Sequence, residues 1–162
     1  MSQAPEWVLW LQATPLAAAM RHWSWLYPAV EIVHLVGIVL LVGCVVGFDL
    51  RLLGRSRQLP ISLLAGHLLP WSLAGFLLVL PSGLLMFSAD AADFYASPVF
   101  RLKLTVLGLA LANILLFHWG SFRRIAIWDV QVPSPAGAIA AGVFSLGLWL
   151  VVIACGRLLA YF

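Results

Sequence analysis

Four histidines, His22, His34, His67 and His118, are the side chains best suited to chemistry in a chain that otherwise offers little of it. An imidazole buried in lipid is disfavoured unless it has a partner or a role. His34 and His118 sit inside long apolar stretches, and His67 opens another. With a helical rise of 1.5 Å per residue, His34 falls roughly 9 Å outside the bilayer midplane, and His67 and His118 roughly 9–10 Å inside it. Level imidazoles on sequential antiparallel helices are what bis-histidine ligation of haem within a bundle requires. His67 and His118 are therefore a candidate axial pair for haem b. Gly66, Gly75, Gly108 and Gly120 would leave it room, and Leu64, Leu68, Trp71, Leu115 and Trp119 would wall it. Arg123 and Arg124 would face its propionates. The plainer alternative is that each ring bonds a nearby carbonyl or hydroxyl.

A second group lies toward the opposite face. Glu31 and His34 are one helical turn apart and share a face, with His22 upstream. The carboxylate there would orient the imidazole, as groups behind a ligand commonly do. Three readings stand side by side: a satisfied Glu–His pair, a second haem on His34 with His22 or, more distantly, Met86 opposite, or a divalent transition metal held by Glu31, His34 and His22. Asp49, Arg51 and Asp129 lie near the inner interface, where Asp49 is expected to pair with Arg51, Arg123 or Arg124.

The elements that must position these groups follow from hydropathy. Of 162 residues, 64% are apolar and 9% charged, against about 45–50% and about 25% in soluble domains. No soluble core could hide so much apolar surface. The apolar runs Ile32–Phe48, Leu68–Phe87, Leu104–Phe122 and Ala136–Gly156 each approach the ~20 residues needed to cross a hydrocarbon layer. Extended to helix length, they predict spans over about 29–51, 62–86, 100–123 and 136–159. The expected fold is an all-α membrane protein, a single domain built as a four-helix antiparallel bundle. Residues 4–26 precede it as one or two short interfacial helices. Ser2, Pro5 and Glu6 mark one helix start, and Thr14-Pro15 a second. Trp7, Trp10, Trp23, Trp25 and Tyr27 suit the headgroup layer.

Pro70 and Pro81 predict a second span that is kinked or starts late. Gly43 and Gly47 form a GxxxG, and Ala138, Ala141, Gly142 and Ser145 a small-residue face. Either suits packing within the monomer or between copies. Ala91–Pro98 and Gln131–Pro135 read as turns. Cys44 and Cys155 lie toward opposite faces, too far apart for a disulfide. Met1–Glu6 lacks the basic region of a secretory signal.

The formal charge of +3 is spread over short loops and does not suggest nucleic acid. Arg51, Arg55, Arg57, Arg123 and Arg124 sit beside helix ends in two connectors, against Arg21, Arg101, Lys103 and Arg157 on the other face. By the positive-inside rule the two connectors are cytoplasmic and both termini periplasmic. No CxxCH, GxSxG, Walker loop, HExxH or Rossmann fingerprint is present, which argues against c-type haem and against hydrolytic or phosphoryl-transfer catalysis.

The run Tyr27-Pro-Ala-Val-Glu-Ile-Val-His34, followed by Asp49-Leu-Arg-Leu-Leu-Gly54, resembles a family of small bacterial four-span integral membrane proteins with no assigned activity. Leu69-Pro-Trp71, Phe117-His118, Gly156-Arg157 and Ala160-Tyr161 fit its later blocks. The resemblance implies a bacterial inner-membrane location and matches His22, Glu31, His34 and His118, but not His67. At fold level the chain is more distantly similar to cytochrome b561-like and copper-resistance membrane proteins. The expected function is b-type haem binding for transmembrane or quinone-linked electron transfer, with a quinone or redox protein as partner. The alternatives are divalent-metal handling at Glu31, His34 and His22, and a non-catalytic accessory subunit or homo-oligomer.

Overall fold

The computed structural model describes residues 4–159 and 161. Among them there is no strand. The elements are α1 (Glu6–Gln12), α2 (Pro15–His22), α3 (Leu26–Leu52), α4 (Ile61–Ala89), α5 (Ala91–Ala96), α6 (Pro98–Trp119), a 3₁₀ segment (Ser121–Ile127) and α7 (Ala136–Leu158). Helices α3, α4, α6 and α7 are 27, 29, 22 and 23 residues long and apolar enough to cross a membrane. Even the shortest rises roughly 33 Å, more than the ~30 Å hydrocarbon layer. The four-span architecture expected from hydropathy is the one observed.

Local chemistry sets the helix starts. Thr14 is extended and its Oγ1 accepts from the Ala17 N–H at 3.3 Å, with Pro15 at the first helical position. Ser97 repeats this before Pro98, accepting from the Phe100 N–H at 3.4 Å. In both cases a hydroxyl satisfies a free N–H, and proline occupies a site that needs no donor. The Ser2 part of the first predicted start lies outside the described residues; α1 begins at Glu6 with Pro5 as its cap. Helix α4 does not start late: it runs unbroken from Ile61 through Pro70 and Pro81. The stretch expected to turn after Ala91 instead forms α5, where Phe94 packs on Phe87 and Phe100 at ring separations of 6.3 and 5.5 Å.

Helices α3 and α4 make the closest crossing. A Cβ on Gly75 would lie 2.6 Å from the Leu41 backbone N and 2.8 Å from the Gly37 carbonyl oxygen. The GxxxG of α3 plays no such part, for a Cβ on Gly43 would meet nothing within 4 Å. The small-residue face of α7 does pack within the monomer. Ala138 is fully buried, and a Cβ on Gly142 would lie 3.4 Å from both the Asp49 carbonyl oxygen and Leu52 Cβ. Helix α6 joins α7, where the Asn113 amide donates to the Ala141 carbonyl at 2.9 Å. Among the described residues, no Cα of α4 comes within 8 Å of one in α6. The packed order is therefore α4–α3–α7–α6, and the consecutive spans α4 and α6 border an open seam.

Both ends are tied. At the terminal end, Arg21 donates to the Ala89 carbonyl at 2.7 Å and to the Gln12 carbonyl at 3.0 Å. Gln12 Oε1 in turn accepts from the Ala92 N–H at 3.1 Å. These bonds hold α1 and α2 across the ends of α4 and α5, with Val8, Ala17 and Met20 buried. Trp10, Trp23 and Trp25 stay exposed there, at the level expected of headgroups. At the loop end, the buried Arg51 donates to the carbonyls of Leu59 (2.8 Å), Arg57 (3.3 Å) and Asp129 (2.9 Å). Asp129 accepts from the Ser62 N–H at 2.8 Å and the Ser62 hydroxyl at 2.7 Å. The connectors following α3 and α6 are thus clasped together.

These bonds, led by the one from the Ser62 N–H, hold the Asp129 carboxyl below its ordinary value. A depressed carboxylate contributes stability that is fully present above the unfolded-state value, ~3.9, and is lost as pH falls through the lower folded value. We therefore expect the thermal midpoint in detergent to drop on acidification below about pH 4, and this component of the drop to vanish in Asp129→Asn. An identical acid profile in the variant would show that the clasp contributes nothing.

Candidate functional site

The four long helices enclose a cavity of about 360 Å³. Its walls are largely apolar: Leu41, Val45 and Phe48 from α3, Leu69, Leu73 and Phe76 from α4, Leu111, Ile114 and Phe117 from α6. Two packed clusters bound it. Leu41, Val45, Ala110 and Trp149 lie toward the terminal end, and Phe48, Leu52, Ile61, Phe117 and Trp128 toward the loop end.

A few polar side chains enter this lining: Asp49, Ser72, Asn113, His118, Ser145 and Trp149. Asp49 is 5% exposed and its Oδ2 has no hydrogen-bond partner. Trp149 is 4% exposed and its indole N–H is likewise unpartnered. Leaving a buried donor or acceptor unmade costs about 1–3 kcal/mol each. The Ser145 hydroxyl lies beside the Asp49 carboxyl. Ser72 and Asn113 use donors on the Leu69 and Ala141 carbonyls. His118 donates from Nδ1 to the Ile114 carbonyl at 2.8 Å. That bond fixes the tautomer and leaves Nε2 as an acceptor or ligand atom. The ring is held by Phe117 on edge and by Phe122 at 4.8 Å.

Asp49 therefore does not pair with Arg51, Arg123 or Arg124 as the sequence led us to expect. Two positions apart on a helix, Asp49 and Arg51 point roughly 200° away from each other. Arg51 directs Nε and Nη2 to the connector carbonyls, and Arg123 and Arg124 are exposed.

The candidate haem pair is not assembled. His118 lines the cavity, whereas His67 is exposed and does not. The inward stripe of α4 runs through Leu69, Ser72, Leu73 and Phe76. At 100° per residue His67 falls roughly opposite Leu69, on the outer face of the helix. The expected walls Trp71, Leu115 and Trp119 are 58%, 51% and 65% exposed. Of the expected small positions, Gly75 is filled by α3. The cavity, about 360 Å³, lies at the lower end of the ~300–1,000 Å³ usual for small-molecule sites.

The outer group is also only partly assembled. His34 Nδ1 lies 2.9 Å from Ser82 Oγ. The Ser82 hydroxyl gives its one proton to the Leu78 or Val79 carbonyl, so His34 donates and its Nε2 is left free. A Cβ on Gly83 would lie 3.0 Å from the ring, so glycine makes the space it occupies. Lys103 and Glu31 are each within electrostatic reach of His34. Glu31 and His22 are exposed. Among the described residues, no group of three or more His, Cys, Asp or Glu could hold a metal ion. Glu31, His34 and His22 thus do not form a ligand set. Cys44 and Cys155 are both free thiols.

Of the polar residues lining the cavity, the sequence assigned Asp49 to an interfacial ion pair and Ser145 to a small-residue packing face, and gave Ser72, Asn113 and Trp149 no site role. A signal for one of them existed. Leu41, Val45, Phe48 and Leu52 mark the inward stripe of α3, and Asp49 is the one acid on it. Ala141, Ser145 and Trp149, spaced by four, mark the corresponding stripe of α7. Compared with known proteins, the chain matches no family model, no curated protein and no solved structure.

Proposed function

We propose that this multi-pass membrane protein binds the ring of a membrane quinone or quinol in its central cavity and serves quinone-linked electron transfer. The observation that carries the reading is the pairing of two unpartnered buried atoms of opposite type in an otherwise apolar cavity, the Asp49 carboxyl oxygen and the Trp149 indole N–H. A quinone oxygen accepts hydrogen bonds and a quinol hydroxyl donates one. A cavity offering a donor, a carboxyl acceptor and the free Nε2 of His118 therefore suits both redox forms. A small number of polar groups placed in apolar walls is also the usual composition of small-molecule sites. The arginine-bearing connectors favour a cytoplasmic loop end and termini on the outer side of a bacterial inner membrane.

The test is calorimetric titration of the detergent-solubilised protein with a short-tailed benzoquinone and with its quinol. Saturable binding of both is expected. Trp149→Phe keeps the ring but removes the donor, and should weaken the quinone by about fivefold to tenfold, one neutral hydrogen bond. Absence of saturable binding by either form would overturn the reading.

A second reading has its own supporting observation. His34 and His118 both have Nδ1 bonded and Nε2 free, the arrangement of a metal-ligating imidazole. They sit near opposite ends of the bundle, so b-type haem would bind to one histidine or the other and not to the His67–His118 pair. A Soret band lost in His34→Ala or His118→Ala would favour it.

A further inference from the structure

Resting on the cavity reading, we infer that the ligand is a tailed lipid: its ring enters sideways from the bilayer through the α4–α6 seam, and its chain lies in a groove along α4. Leu73 of α4 and Leu111 of α6 both line the cavity, yet they are 58% and 39% exposed on the lipid-facing surface. The cavity therefore reaches that surface between two helices whose Cα atoms never come within 8 Å. Leu73 is near the middle of α4 and Leu111 near the middle of α6, so the opening lies at hydrocarbon depth, where no water-soluble ligand is concentrated. Toward the termini the cavity is bounded by the cluster around Trp149, and toward the loops by the cluster around Trp128 and the Arg51 clasp.

A surface groove of about 480 Å³ continues from the opening. It is lined by Gly66, Pro70, Phe122 and Ile125 and shares Leu69 and Leu73 with the cavity. From Leu73 it runs down α4 to Ser62, roughly 16 Å at the helical rise. The lining is apolar except at Ser62, where the groove meets the Asp129 clasp. At Gly66 a Cβ would meet nothing within 4 Å, so the groove there is kept open by the missing side chain. A volume that holds a ring but no chain, opening onto an apolar channel inside the bilayer, is the shape of a ligand with a polar ring and an alkyl or isoprenoid tail.

The experiment measures binding of a tailed and a tail-less benzoquinone to wild type, Gly66→Leu and Gly66→Ala in nanodiscs of one lipid composition. Leucine at position 66 fills the groove without touching the core, and it also suits a helix better than glycine. We expect Gly66→Leu to weaken the tailed quinone by about fivefold or more while changing the tail-less ring by less than about twofold. Gly66→Ala should fall between wild type and Gly66→Leu for the tailed quinone. Leu73→Trp, which narrows the opening from the other rim, should slow association of the tailed quinone. If both quinones bind wild type and Gly66→Leu does not separate them, the groove is overturned; if Leu73→Trp leaves association unchanged, sideways entry is overturned; in either case the cavity reading stands. If the tail-less ring fails to bind wild type, the cavity reading falls and this inference with it.

Discussion

Replacing Asp49 by leucine should weaken ring binding severalfold while leaving the protein at least as stable as wild type. The carboxyl is buried against Phe48, Leu52 and α7, and one of its oxygens has no partner. A leucine of similar size removes that unmet acceptor, worth about 1–3 kcal/mol of stability. The same change removes the cavity's carboxyl acceptor. A hydrogen bond between uncharged groups is worth about 0.5–1.5 kcal/mol, so the quinol should bind roughly 2- to 10-fold more weakly. Asp49→Asn keeps the shape and one acceptor oxygen, and should fall between the two. Calorimetry and thermal denaturation of the same preparations check both arms. A variant that melts well below wild type but binds normally would make Asp49 a structural residue.

The largest effect on the fold is expected at Gly75. Its missing Cβ is what lets the α3 backbone pass at Leu41 and Gly37. Because the obstructing atoms are backbone, no rotamer change can relieve the clash, and the two helices must move apart. Overpacking of this kind costs about 1–3 kcal/mol for one methyl group, and Gly75→Val should cost more than Gly75→Ala. Gly43 supplies the contrast. It belongs to the GxxxG that suggested a close helix contact, yet a Cβ there would meet open space. Gly43→Ala should stabilise α3 by about 0.5–1 kcal/mol through the helix propensity gained. Denaturation of both variants in one detergent checks the pair. A larger loss at Gly43 than at Gly75 would mean that copies associate through the GxxxG face and that this face, not the α3–α4 crossing, limits stability.

The spans were legible because hydropathy over some twenty residues is a strong signal, and lipid leaves few alternatives to a helix. Thr14-Pro15 was legible for a local reason, a cap hydroxyl followed by a proline. Which helices touch was not. Sequential spans with short connectors suggested that α4 and α6 face each other. The close packing at Gly37–Gly75 and along Gly142 gives a different order and leaves a seam where a contact was expected. For the histidines the missing information was rotation. Depth along a helix follows from counting residues, but facing needs the inward stripe, and His67 is on the wrong side of α4 while His118 is on the right side of α6. Asp49 was assigned to an interfacial ion pair because a single acid near a helix end and two residues from an arginine has that pattern. The helical angle between them sends one into the cavity and the other into the connector clasp.

The most direct test of the cavity reading is to ask what the protein carries from the membrane. Wild type and Asp49→Leu would be isolated from native membranes in a mild detergent, extracted with organic solvent and assayed for quinone, with the absorption spectrum of each recorded before extraction. Near-stoichiometric quinone in wild type, enriched over bulk lipid and depleted in Asp49→Leu, with no Soret band in either, is the expected result. Stoichiometric haem in wild type, with quinone no more abundant than in the surrounding lipid, would contradict it.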